Sequence, residues 1–329
     1  MRSDTSAIAG RIAVAVRRWL DGLDPGQRSA AVNAFDAPER FVWDYRPGPR
    51  RGLSLAEMDG PQRATALAIL DASLSERGAG EVRSIIALEP TLGELERRAG
   101  RSNWARRDPD RYWFAVFGEP GDPAPWSWRI GGHHLAIQAT IADGRVIGSV
   151  PSFMGANPAT VPDGPFAGSR AIDGEEMLAR ALLASLSPEQ RRVAVVDPVS
   201  PPDIRSGNDR RADLREVPEG IAHHQLDASQ RDGLERLIRH YLDRAGSEIA
   251  EVDWDRIREA GLGPITFAWA GSDQPGRGHY YAIRGRRLLI EYDNTQDGAN
   301  HIHAVWRDPT NDWGEDLLAA HYRASHRPG

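Results

Sequence analysis

Neither cysteine nor lysine occurs anywhere in the 329-residue chain, and each absence removes whole classes of chemistry. Without cysteine there are no disulfides, no thiol nucleophiles and no thiolate metal sites. Every one of the 41 basic residues is arginine, so Schiff-base chemistry, the P-loop lysine and the kinase lysine are excluded together. Long apolar runs are missing too: IAVAV at residues 12–16 falls far short of a membrane span. The net charge is −6, with no basic block and no cationic stripe interleaved with aromatics, which argues against a nucleic-acid partner. The G-x-S-x-G, H-E-x-x-H and G-x-G-x-x-G motifs do not occur. Histidine, carboxylate, serine, tyrosine and arginine chemistry remain.

The N-terminal segment carries Ile12, Val16, Trp19, Leu20 and Leu23 at helical spacing and reads as an amphipathic helix. It lacks an apolar signal core followed by a small-residue cleavage site, so a cytoplasmic location is expected.

Comparison of the chain with itself predicts an internal duplication. A constant offset of 153 aligns Phe114 with Phe267, Ala115 with Ala268, Gly118 with Gly271, Ile130 with Ile283, Gly132 with Gly285, Leu135 with Leu288 and Ile137 with Ile290. Upstream, LDPGQRSAAV around Gln27 echoes LSPEQRRVAV around Gln190, and the segment around Gln62 echoes that around Gln230. The join falls in the Gly- and Pro-rich stretch 162–174, giving a first repeat at 1–165 and a second at 166–329 within one unit. Helices are expected at 5–23, 60–76, 174–186, 227–244 and 313–324. Strands are expected at 112–117, 126–130, 133–141, 145–150, 265–270, 279–284, 287–293 and 301–306. The fold class is α+β, each half running helices first and then an antiparallel β meander.

Chemistry concentrates in Glu291–Asp308, EYDNTQDGANHIHAVWRD. His301 and His303 lie two apart and share one face of a strand, as do Glu291 and Asp293. A hairpin centred on Asp297 would set His301 opposite Asp293 and His303 opposite Glu291, with Ile302 and Ala304 on the apolar face. Two imidazoles and the Glu291 carboxylate then suit a divalent metal such as Zn, Mn, Fe or Ni. The bland alternative is a His–carboxylate network that only knits the hairpin together.

The corresponding face of the first half is neutral: His134, Gln138 and Thr140 occupy the positions of Arg287, Glu291 and Asp293. His134 is a candidate to complete a site across a pseudo-twofold axis, or only to satisfy local backbone groups. Arg307 could clamp an anionic substrate through two parallel hydrogen bonds, against the simpler reading of an Arg–Asp bridge near the C-terminal helix. Tyr280 and Tyr281 face opposite ways, so one of them is expected in the core. The segments 155–158 and 206–210 read as structured loops, and His223 and His224 as part of a helix entry.

YWFAVFGEPG, WRIGGHHL, FMGANPA, SGNDR, FAWAGS, HYY and IEYDNTQDGANHIHAVWRDPTNDWGEDLL together resemble a bacterial family, domain of unknown function 3500. The resemblance spans nearly the whole chain and implies no particular reaction or cofactor. Members of the family often carry export signals, and this N-terminus does not read as one.

Three functions stay open from the residues. One is a metal-assisted hydrolytic or oxidative enzyme acting on a small polar substrate in the cleft between the repeats. Glu291, His301 and His303 would be its ligands, and His134, Asp293 and Arg307 would support them. The others are a non-catalytic binder of a small polar ligand, and a metal-free enzyme in which a His–carboxylate pair moves protons. A small molecule is the expected partner in each case, with no nucleic acid or membrane; the oligomeric state is not legible.

Overall fold

The computed structural model describes residues 4–121 and 124–315 as an α+β fold, with eight helices and one mixed sheet among them. Helices α1 (Ser6–Asp21) and α2 (Pro25–Ala31) lead to strands β1 (Val32–Asn33) and β2 (Leu53–Ser54). Helices α3 (Gly60–Ser73) and α4 (Glu76–Arg98) follow. Next come β3 (Tyr112–Phe117), β4 (Trp126–Gly132), β5 (Leu135–Ala142), β6 (Arg145–Gly148) and β7 (Ser152–Ala156). The second half runs α5 (Gly174–Ser185), α6 (Pro188–Ala194), β8 (Val195–Asp197), β9 (Ile221–Ala222), α7 (Ala228–Leu242) and α8 (Ser247–Ala260). It closes with β10 (Thr266–Gly271), β11 (His279–Gly285), β12 (Leu288–Gln296) and β13 (His301–Arg307).

Four helices start on the same device. Asp24, Asp59, Ser187 and Asp227 each accept from the backbone N–H of a glutamine three residues on, and that glutamine's side chain returns to the cap backbone. Each such box is worth about 1 kcal/mol. The glutamines also meet in pairs. Gln27 and Gln62 exchange amide hydrogen bonds at 3.0 and 2.8 Å, and Gln190 and Gln230 do so at 2.8 and 2.9 Å. The start of α2 is thereby tied to that of α3, and the start of α6 to that of α7.

The sheet path runs β1-β3-β4-β5-β7-β13-β12-β11-β10-β8, so the two halves join where β7 pairs antiparallel with β13. At one end β1 lies parallel to β3, and β2 pairs antiparallel with it; at the other, β8 and β9 flank β10 in the same two ways. Helices cover one face over the main core, which includes Ile130, Ile137, Ile283, Ile290 and Tyr292. The opposite face lies under long loops that carry Trp43, Tyr45 and Ile204 onto Phe153 and Val305. His303, Asp293 and Glu291 lie on this loop-covered face, by the two-residue period they share with Val305.

The structure departs from the sequence reading in identifiable places. Helix α4 contains Pro90 and several glycines, which hid its 23-residue length. Helix α8 buries only Ile249, Ala250 and Ile257, too sparse an apolar stripe to register. Gly155 and Ala156 belong to strand β7, not to a loop; the prolines at 151 and 158 that bracket it made it look irregular. His133 and His134 form the turn between β4 and β5 instead of beginning a strand. The helix expected at 313–324 lies, from residue 316 on, outside the described residues. Among those described, no helix is long and apolar enough to cross a membrane.

Candidate functional site

The β12–β13 hairpin adopts a register different from the expected one. Asp293 stands opposite His303, and Glu291 opposite Val305, a shift of two residues from the expected pairing. At the loop end a bulge leaves Thr295 and Gln296 both opposite His301. Because the shift is even, each side chain keeps its face.

His134 reaches this hairpin from the other half. It occupies the left-handed region at φ 60°, which a residue with a Cβ adopts at a cost on the order of 1 kcal/mol. Its backbone is pinned on both sides: its N–H donates to the Tyr45 carbonyl, and its carbonyl accepts from Gly155 N–H, both at 2.8 Å. Gly155 has to be glycine here, since a Cβ would come within 2.7 Å of the Ile302 carbonyl and 3.1 Å of the His134 ring.

The result is a group of three histidines. One ring nitrogen each from His134, His301 and His303 lies within 4.8 Å of the others, and the three residues could hold a metal ion. The Nε2 atoms of His134 and His301 are 2.8 Å apart. A tetrahedral zinc with Zn–N bonds of about 2.0–2.1 Å needs nitrogens about 3.3 Å apart, so small side-chain movements suffice.

Carboxylates orient two of the rings. His303 Nδ1 meets Asp203 Oδ1 at 2.7 Å, and His301 Nδ1 meets Asp297 Oδ2 at 3.2 Å. A proton on each Nδ1 satisfies these contacts and leaves both Nε2 atoms as acceptors, that of His301 facing His134 Nε2, whose proton an ion would replace, as in carboxylate–histidine–metal sites. Asp203 is itself held by the Tyr45 hydroxyl at 3.2 Å and the Ile204 N–H at 2.7 Å. Asp297 receives Arg101 at 2.8 Å and Asn157 at 2.9 Å. Burial and the neighbouring imidazoles push His134 well below the ordinary histidine range, and burial lowers His301 despite the Asp297 hydrogen bond. Both rings are therefore neutral near pH 7, as ligation requires. Burial, the largest single influence, tends to raise Asp203, but the interaction with His303 and the hydrogen bonds from the Ile204 N–H and the Tyr45 hydroxyl together outweigh it and hold the carboxyl below its usual value.

Around the triad lie two further features. His133 stacks on His134 with ring centroids 3.8 Å apart, and its Nδ1 contacts Glu89 Oε1 at 2.5 Å. Arg107 lies against the same His133 ring and is fixed by paired hydrogen bonds to Glu96 at 2.9 and 2.7 Å. Asp293, across the strand from His303, uses Oδ1 for the Thr295 N–H and hydroxyl, while its buried Oδ2 has no partner among the described residues. Burial pushes its carboxyl up to about 7, so it can change protonation near neutral pH.

Glu291 and Arg307 do not join this group. Glu291 is fully buried and accepts from the Arg205 N–H at 2.6 Å, the Ser206 N–H at 3.1 Å and the Tyr280 hydroxyl at 2.8 Å. Its carboxylate anchors the 205–206 loop and has no place left for a shared ion. Arg307 has no exposed surface and binds Asp312 at 2.7 Å, so it faces no cleft. Asp308 pairs instead with Arg287, at 2.9 Å. Tyr281 packs in the core, stacked on Tyr292 with centroids 5.0 Å apart.

Sequence reasoning missed Asp203, Asp297, Tyr45 and Asn157 as partners of the histidines. Asp203 lies 100 residues from His303, in a loop with no periodic pattern. The available signal was the concentration of Pro and Asp in the 201–210 loop, which does not say what the loop covers.

The family model described as protein of unknown function (DUF3500) matches residues 5–315, so the chain belongs to that family. No curated protein and no solved structure matches it.

Proposed function

We propose that this DUF3500 member is a metalloprotein in which His134, His301 and His303 bind one divalent ion through Nε2. On this reading the ion supports hydrolytic or oxidative chemistry on a small polar substrate. One observation carries the reading: two of the three rings have Nδ1 held by carboxylates that are themselves anchored. A network that only stabilised the hairpin would have no need to present unprotonated nitrogens toward a common point. Three imidazole ligands suit zinc, manganese or iron and leave coordination positions for water or substrate. Asp293 would supply a carboxyl able to take or give a proton beside the ligands.

The two halves are read as copies of one unit joined near residue 165. The repeated glutamine pairs and the matching flanking strands support this, as do the sequence identities. The site would then be assembled at the join, with His134 from one copy and His301 and His303 from the other.

Cobalt(II) reconstitution tests the reading. A visible absorption band of a four- or five-coordinate ion is expected, lost in His303→Ala and shifted by azide entering an open position. A cobalt-loaded protein whose spectrum ignores both changes overturns it.

A further inference from the structure

Beside the triad, a pocket of about 410 Å³ is lined by the 47–49 loop, Glu89, Arg106, Asp108, Arg111 and His133. Its wall includes His133, whose ring stacks on His134, so the pocket lies one imidazole away from the proposed ligands. Among the described residues, most arginines are committed to carboxylates or carbonyls. Arg106 and Arg111 differ: both are exposed, and neither guanidinium makes a hydrogen bond or ion pair with a described residue.

The opposing charges are already engaged. Glu89 is held by His133, and the Asp108 carboxylate accepts from the Asp110 N–H at 2.9 Å. Arg107, between the two free arginines in sequence, is neutralised by Glu96 at 2.7 Å. The pocket therefore offers two uncommitted planar cations above a polar floor, the donor set that recognises carboxylates and phosphates. Its volume suits a small metabolite.

We propose that this pocket is an oxyanion site for a small organic acid or phosphate ester, gripped by Arg106 and Arg111 over the His133–Glu89 pair. Anion binding here stands on the pocket alone; that the bound molecule is the substrate of the neighbouring ion rests on the metal reading above.

Calorimetric titration of the full chain with inorganic phosphate and with succinate, at low ionic strength, tests the proposal. Saturable one-to-one binding of at least one probe is expected, weakened about tenfold or more in Arg106→Gln/Arg111→Gln. A control, Arg17→Gln, lies on α1 away from the pocket and should bind as the wild type does. Preference for phosphate assigns the ester, and preference for succinate the organic acid. Absence of binding by both probes, or equal binding in the double variant, overturns the proposal. Metal content measured on the same samples separates the two claims: metal present without anion binding rejects only the pocket, and anion binding without metal rejects only the ion.

Discussion

The Nε2 atoms of His134 and His301 lie 2.8 Å apart although 167 residues separate them along the chain. The contact exists because β7 and β13 join the two halves of the sheet and the β4–β5 turn overhangs that seam. Gly155 sits opposite His303 on β7, directly beneath the His134 ring.

Substituting Gly155 by Ala should therefore disturb the site without touching a ligand. The added Cβ meets the Ile302 carbonyl at 2.7 Å and the His134 ring at 3.1 Å, so the ring has to move. Metal affinity should fall by about tenfold or more, since ligand placement is sensitive at the ångström level. Competition with a chromophoric chelator measures it. Unchanged affinity would mean that His134 is not held by this contact.

Asp203→Asn and Asp297→Asn should each weaken metal binding while leaving the fold intact. The amide no longer fixes a proton on Nδ1 of His303 or His301, and comparable losses run about 10–100-fold. Circular dichroism should be unchanged in both variants. Equal affinity in wild type and variants would show that these carboxylates only brace the loops.

Glu291→Gln separates an anchoring role from a ligand role. Its carboxylate receives three donors, two of them buried, so the variant should lose about 2–3 kcal/mol of stability in urea denaturation. Its metal content should not change. A metal-free but fully stable variant would instead make Glu291 a ligand.

Two-residue periodicity put His303, Asp293 and Glu291 on one face, and that survives because the register error was even. Self-comparison brought His134 into consideration, although its left-handed turn conformation is not legible from residue types. What failed was the choice between neighbours on a shared face. Glu291 and Asp293 look alike in sequence, yet the 205–206 loop fills the first carboxylate and leaves an oxygen of the second unpartnered. Such choices depend on loops far off in sequence, and Asp203 and Tyr45 were missed for the same reason. Helices with regular apolar stripes, such as α7, were readable; α4 and α8 lack that stripe or interrupt it.

A pH effect on stability should trace to His279, which is fully buried and stacked between Trp269 and Tyr292. Burial, reinforced by Arg180, lowers its pKa to about 4, below the unfolded value. The folded state thus binds fewer protons, and the contribution is complete above about pH 6.5 and is lost as pH falls toward 4. The loss is on the order of 3 kcal/mol. His279→Phe keeps the stacked ring and removes the titration, so its melting temperature should fall less than that of the wild type between pH 6.5 and 4. Parallel curves for the two proteins would exclude His279 as the cause.

The central claim is decided by elemental analysis of the purified protein, before and after chelation, beside His301→Ala and His303→Ala. The predicted result is about one divalent ion per chain, removed by chelator with a drop in melting temperature and absent from both variants. Metal-free wild-type protein that takes up no added ion, and whose melting temperature ignores the chelator, would contradict it.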